Sequence, residues 1–291
     1  MQPDTLTGFL ESELGQPQPS DCLFHVIPAG YEASVSYGTG TGKGPSAIID
    51  ASQYLELFDG ASVPAGRGIF TTPSLDCEGP VEDVLGRIER AVWDALGSER
   101  IPVVLGGEHT VSVGAFNALA RLNKPVGIVQ FDAHADLRAT YEGSPYSHAC
   151  ALYHAVEHGM SLFQIGVRSL SPFDLAYRKE KSGISHLDAD RLFREGVPSP
   201  LLPFDFPENI YITFDVDGLD PSILPATGTP EPGGLLWYQA MDLLETIIRG
   251  RNVLGFDVVE LAPMPYHHAS DFTTARLVYN IMGMIDRNLS R

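Results

Sequence analysis

Two short acidic clusters stand directly behind apolar runs: Asp132-Ala133-His134-Ala135-Asp136 after VGIVQF, and Asp215-Val216-Asp217 after NIYITF. At a strand end, a spacing of two points alternate side chains the same way. The metal-binding side chains of both clusters can therefore converge on one spot. A third apolar run, IPVVL, leads into Gly106-Gly107-Glu108-His109-Thr110. Together the three strand exits offer four aspartates and two histidines, the outline of a two-metal site. Imidazole and carboxylate with no thiolate suit Mn²⁺. Two such ions about 3.5 Å apart can share one water and lower its pKa until it is a nucleophile at neutral pH.

Bridging takes a carboxylate, which can give one oxygen to each ion, whereas an imidazole has a single free lone pair. Asp132 and Asp215, the first residues of their clusters, are the candidate bridges. His109 and Asp136 would complete one ion, and His134 and Asp217 the other. Four aspartates, two divalent ions and a hydroxide sum to about −1, and Glu260 in DVVELAP brings the site to about −2. A cation would be drawn in, and a planar guanidinium fits best because a carboxylate accepts its parallel N–H pair.

Taken singly, such residues have plainer uses. An aspartate behind a strand often caps a helix or forms a turn, but six ligand-type residues at three exits argue against that for the set. Glu108 reads as fixing its turn, and Asp220, before Pro221, as a turn residue. His267 and His268 read as a solvated helix start, and Cys150 as a buried inert thiol.

The elements that must position these residues alternate from end to end, as in a parallel sheet covered by helices on both faces. Strands are expected near 22–28, 67–72, 101–105, 126–131, 162–166, 183–187, 209–214 and 253–257. Helices fit 45–56, 80–97, 111–122, 148–158, 172–180, 236–249 and 271–287. The Pro-rich stretch 197–207 runs straight into a strand, so it reads as a loop, and residues 1–291 as a single domain. Glycine-rich segments at 38–44 and 226–234 are long for connections and suggest functional loops.

With 44% hydrophobic and 19% charged residues, the chain can bury a large core. Its net charge of −18 argues against nucleic acid or an anionic membrane as partner and suits a cationic small molecule. The three cysteines, Cys22, Cys77 and Cys150, form no zinc pattern, which suits reduced thiols in the cytoplasm. No signal peptide or membrane-length apolar run is evident, so a soluble cytoplasmic protein is expected.

The motifs GGEHT, FDAHADLR, SHAC, FDVDGLDPS, TGTPEPGGL and DVVELAP, in this order and spacing, resemble the ureohydrolase family of arginase and agmatinase. The similarity runs from about Gly38 to the C-terminus and includes YGTGTGKGPSAI. It implies a three-layer α/β/α fold with a central eight-stranded parallel sheet, and two Mn²⁺ ions per subunit bridged by hydroxide. The hydroxide would attack the guanidinium carbon, releasing urea and an amine. By match to the family's motifs, Asp136 would orient the hydroxide, His148 would shuttle protons and contact substrate, and Glu260 would hold the guanidinium.

Arginases carry an asparagine where this chain has Arg138, and the following RATYEGSPYSHA looks like the agmatinase branch. The resemblance therefore points to agmatine as substrate, giving putrescine for polyamine synthesis. N1-aminopropylagmatine, guanidinobutanoate and arginine are the alternatives. Tyr141, Glu142 and Tyr146 lie in the loop where the substrate tail would pass. A deacetylase-like metal amidohydrolase shares the fold with a single zinc, and the full ligand set together with Glu260 speaks against it. The resemblance also implies a homotrimer or homohexamer.

Overall fold

The computed structural model describes residues 7–290. Its eight strands are β1 (Phe24–Ala29), β2 (Ile69–Thr71), β3 (Ile101–Gly106), β4 (Val126–Phe131), β5 (Ser161–Ile165), β6 (Ile184–Leu187), β7 (Asn209–Asp215) and β8 (Asn252–Val259). They form one sheet in the order β2-β1-β3-β8-β7-β4-β5-β6. Every pairing is parallel. All six residues of β3 and of β4 are buried, as expected of strands covered on both faces.

Nine helices complete the described chain: α1 (Glu11–Leu14), α2 (Gly44–Ser52), α3 (Val81–Gly97), α4 (Val111–Ala120), α5 (Ala151–Glu157), α6 (Pro172–Glu180), α7 (Ala189–Glu195), α8 (Trp237–Ile248) and α9 (His268–Leu289). One apolar core lies between the sheet and α2, α7, α8 and α9, with Ile48, Leu192, Leu244 and Val278 among its residues. The other lies under α3 to α6, with Ile88, Phe116, Leu152 and Tyr177. The fold is thus the three-layer α/β/α sandwich that the resemblance implied, its parallel sheet covered on both faces as the alternating pattern predicts.

Differences from the sequence reading have local causes. Helix α7 was not anticipated because it has seven residues, too few for a 3.6-residue period to register, and its Phe193 is 85% exposed. The expected helix over 148–158 opens as a 3₁₀ turn, His148–Cys150, before α5 begins. The last helix starts at His268, three residues earlier than the apolar stripe suggested.

Register carries the site. Phe131 lies opposite Phe214, so Asp132 and Asp215 emerge side by side. The Phe131 and Phe214 rings stack with centroids 4.9 Å apart, a rigid floor under both acidic clusters. Asp215 in turn pairs with Val259, so Glu260 follows at the same level. The Glu260 N–H donates to the Gly107 carbonyl at 2.8 Å, which brings the β3 exit alongside. The four strands that deliver the candidate residues, β3, β8, β7 and β4, are consecutive in the sheet, and ligand crevices of such sheets open at the carboxyl ends of strands.

Candidate metal and substrate site

The two acidic motifs converge by turns rather than by strand alternation. β4 ends at Phe131, and Asp132 Oδ1 accepts the N–H of His134 at 2.6 Å. Likewise Asp215 Oδ1 accepts the N–H of Asp217 at 2.8 Å as the chain enters a 3₁₀ turn. In each case an aspartate oxygen closes a turn over two residues and swings the second ligand to the same side. The turns interlock, since the Ala133 N–H donates to Asp217 Oδ1 at 3.0 Å. Gly218 is needed here, because a Cβ would lie 2.8 Å from the backbone nitrogen of Asp132.

At the β3 exit, a Cβ on Gly107 would strike the backbone of Tyr31, so only glycine lets the loop after β1 approach. Glu108 does fix its turn, and reaches further. Its Oε2 accepts the N–H groups of Ala33 and Ser34, both at 2.7 Å, and its Oε1 accepts the hydroxyls of Ser34 and Thr110. His109 is thereby held fully buried.

His109 Nδ1 stands 3.0 Å from Asp136 Oδ2, 3.2 Å from Asp132 Oδ2 and 3.6 Å from Asp215 Oδ2. His134 Nδ1 stands 3.0 Å from Asp217 Oδ2 and 3.7 Å from Asp132 Oδ1. His109, Asp132 and Asp136 make one compact set of ligand atoms, and Asp132, His134 and Asp217 another. Asp132 belongs to both, one oxygen toward each histidine. Asp215 borders the first set beside His109 without joining either compact group.

The residues fit a metal pair. Ligands at right angles on bonds of about 2.1 Å stand about 3 Å apart, the spacing seen here. His109 Nε2 lies 2.8 Å from Thr213 Oγ1, whose hydroxyl proton goes to Asp257 Oδ1 at 2.6 Å. Thr213 must therefore accept from His109, which places one imidazole proton on Nε2 and leaves Nδ1 to take a metal ion or a second proton. That buried Nδ1 has no hydrogen-bond partner and faces three carboxylates, an arrangement that only a cation makes favourable.

The electrostatics express the same demand. Burial disfavours the His134 imidazolium, yet Asp132 and Asp217 outweigh it and push the ring up to about 12. Burial, with Asp217 and Asp132 nearby, drives the Asp215 carboxyl well above the usual range. Glu260 is raised likewise, chiefly by burial, although the His109 N–H opposes it.

His148 sits at the mouth. Its Nε2 lies 2.9 Å from Ser36 Oγ, and its Nδ1 3.3 Å from Ser34 Oγ and 3.2 Å from Ser147 Oγ. The ring packs edge-on against Tyr141. The Asp136 carbonyl accepts the N–H groups of Leu152 and Tyr153, which ties the segment after His148 to the candidate metal ligands. Asp136 itself has φ +51° and Glu260 φ +66°, left-handed conformations uncommon outside glycine.

A cavity of about 260 Å³ opens above His134 and Asp136, with Arg138, Tyr141, His148 and Asp174 on its walls. Glu260, against the backbone of His109, is not part of that wall. The glycine-rich segments meet at the rim, where the Gly38 N–H donates to the Gly228 carbonyl at 3.0 Å.

Three features escaped the sequence reading. Arg168 donates to the carbonyls of Asp217 and Glu231 at 2.7 and 2.8 Å, tying the second glycine-rich loop to the β7 exit. Asp174 caps α6, its Oδ2 accepting from Ser171, while its buried Oδ1 has no hydrogen-bond partner. The capping pattern Ser171-Pro172-Phe173-Asp174 was legible, but not its place on the cavity wall. Ser34 and Ser36 gave no signal at all. The plainer readings stand for Asp220, whose carboxylate accepts the N–H groups of Ser222, Gly233 and Gly234, and for Cys150, buried with its thiol raised to about 11 by burial. Among the described residues, no helix is long and apolar enough to cross a membrane.

Comparison with known proteins agrees with this geometry. An N(1)-aminopropylagmatine ureohydrolase of Synechocystis is 33% identical, over 94% of this chain and 92% of its own. One of Thermus thermophilus is 36% identical, over 89% of each chain. The crystal structure of agmatine ureohydrolase of Thermoplasma volcanium superposes with a TM-score of 0.86 at 26% identity, covering 98% of this chain and 96% of that one. A sequence model described as the Arginase family matches residues 23–284, and the chain therefore belongs to the arginase family, as a hydrolase of its agmatinase-like branch.

Proposed function

We propose that this hydrolase releases urea from a linear guanidinoalkylamine, acting as a single catalytic domain in the cytoplasm with two Mn²⁺ ions per subunit. The observation that carries the reading is the pair of ligand sets joined through Asp132, with Glu260 against the backbone of His109. His109, Asp132, Asp136 and Asp215 would hold one ion, and Asp132, His134, Asp215 and Asp217 the other. When bound, the ions supply an activated water as nucleophile.

The chain's own residues do the rest. Glu260 accepts the N–H groups of the guanidinium, and a substrate without that group leaves a buried carboxylate unpaired, so it is rejected. Asp136 orients the attacking water. As the C–N bond breaks, His148 delivers a proton to the departing amine nitrogen, a task its place at the mouth among Ser34, Ser36 and Ser147 suits.

Two substrates are in view. The names of the Synechocystis and Thermus relatives favour N1-aminopropylagmatine, and the Thermoplasma structure favours agmatine. Both carry a cationic tail, which suits the acidic chain and the Asp174 carboxylate on the cavity wall. Urea release by the Mn²⁺-loaded protein from N1-aminopropylagmatine, agmatine, 4-guanidinobutanoate and arginine, side by side, tests the reading. A preference for either amine supports it, and a preference for a carboxylate-tailed compound would transfer the tail contact to Arg138. Assembly as a trimer or hexamer, readable by light scattering, belongs to the same proposal.

A further inference from the structure

Gln130 and Gln164 are directly opposed on β4 and β5, and both are fully buried. Two glutamines in a sheet interior are costly unless every polar atom is satisfied. Here they link outward to Arg178 on α6, which is 9% exposed. Arg178 Nε donates to Gln164 Oε1 at 2.7 Å, and its Nη1 meets Asp188 Oδ1 at 3.0 Å.

The direction of this chain is not free. A guanidinium has no acceptor, so Gln164 must turn its oxygen toward Arg178 and its amide NH₂ inward. That NH₂ donates to Gln130 Oε1 and to the Ala135 carbonyl. Gln130 is thereby forced to turn its own NH₂ toward the site, where it donates to Asp132 Oδ2 at 2.7 Å and to the His134 carbonyl at 3.2 Å.

We propose that Gln130, Gln164 and Arg178 form a polarised positioning chain that fixes the Asp132 carboxylate for two metal ions. The inference rests on the reading of Asp132 as the shared ligand. Each Asp132 oxygen receives one donor, Oδ2 from Gln130 and Oδ1 from the His134 N–H. A carboxylate oxygen has two lone pairs, so one remains on each oxygen for a metal, and the carboxylate plane cannot rotate. The inward-pointing amide dipoles also offset part of the repulsion among the clustered aspartates.

Gln164→Glu is the decisive variant. It keeps the size of the side chain and the bond to Arg178, but as an ionised carboxylate it can no longer donate, so Gln130 either flips its oxygen toward Asp132 or sets that oxygen against the new carboxylate, and in both cases its hold on Asp132 weakens. The measurement is calorimetric titration of the metal-free protein with Mn²⁺ alone, beside its thermal melting. We expect affinity about 10-fold to 100-fold weaker in a protein that still folds cooperatively, its metal-free form melting somewhat lower because the Ala135 carbonyl loses its donor. Arg178→Lys, which still donates, should hold most of the wild-type affinity, whereas Arg178→Met should lose it. Asp132→Ala serves as the separate control. If it still binds two Mn²⁺ ions at wild-type affinity, the reading of Asp132 is wrong. If Asp132→Ala loses the metal while folded Gln164→Glu and Arg178→Met bind Mn²⁺ as the wild type does, the positioning chain is wrong.

Discussion

Glu260 Oε1 accepts the backbone N–H of His109 at 2.6 Å, so the residue proposed to hold the substrate is locked to one proposed to hold a metal. The contact joins the exits of β8 and β3, which are neighbours in the sheet although about 150 residues separate the two side chains in sequence. Glu260→Gln keeps an oxygen for that N–H and removes only the charge. We expect the fold and metal content to survive while kcat/KM falls about 10-fold to 100-fold, the loss of one charge-assisted pair of about 1.5–3 kcal/mol. Steady-state kinetics with a guanidino substrate reads this, and an unchanged kcat/KM would remove Glu260 from substrate binding.

His148 is held by three serine hydroxyls and by no metal-ligating side chain. His148→Ala should therefore bind Mn²⁺ like the wild type and turn over about 100-fold to 10,000-fold more slowly. Metal analysis beside the urea assay checks both halves. Loss of metal would show that the residue shapes the centre instead of serving the reaction.

Gly218 lies where the two acidic turns interlock, and an added Cβ would meet backbone atoms of Asp132 and Phe131 at 2.8 and 3.1 Å. Backbone cannot swing aside as a flexible side chain can. Gly218→Ala should lower stability by about 1–3 kcal/mol and weaken Mn²⁺ binding. Gly66→Ala, where a Cβ would meet nothing within 4 Å, should do neither. Melting temperature and metal titration of the two variants make the comparison.

Far from the site, Arg287 on α9 bonds Asp59 Oδ2 at 2.5 Å, and Asp59 also accepts the N–H groups of Ala61 and Ser62. Burial raises the Asp59 carboxyl, but these N–H groups and the guanidinium outweigh it and hold it below the usual carboxylate range. A folded pKa below the unfolded value gives stability that is fully present above about pH 4 and is lost as pH falls through the folded value. Asp59→Asn should thus cost about 1–3 kcal/mol at pH 7. The gap to wild type should narrow steadily below about pH 4. Chemical unfolding across that range measures it, and a gap independent of pH would show that the charge contributes nothing.

Much of the site was legible because strand exits announce themselves locally. An apolar run followed by Asp-x-His-x-Asp or Asp-x-Asp needs no tertiary information to be read as ligands leaving a buried strand. Five of the six ligand candidates fall in the two compact sets, and Asp215 lies beside His109 outside both. Strand alternation accounts for only part of their convergence. Alternation applies inside a strand, and Asp132 lies just beyond one, where a side-chain oxygen closing a turn does the same work.

By itself, then, the amino-acid order determined the alternating strand and helix pattern, the ligand types and the turns that present them, since each depends on neighbours within a few residues. Only the tertiary structure decided that β3, β8, β7 and β4 lie side by side, and that Asp132 faces both histidines. It also decided that Gln130, Gln164 and Arg178 run in line to Asp132, and that Ser34 and Ser36 reach His148 from more than a hundred residues away. Those relations follow from sheet order and register, which are set by packing the whole apolar core, and no window of local sequence contains them.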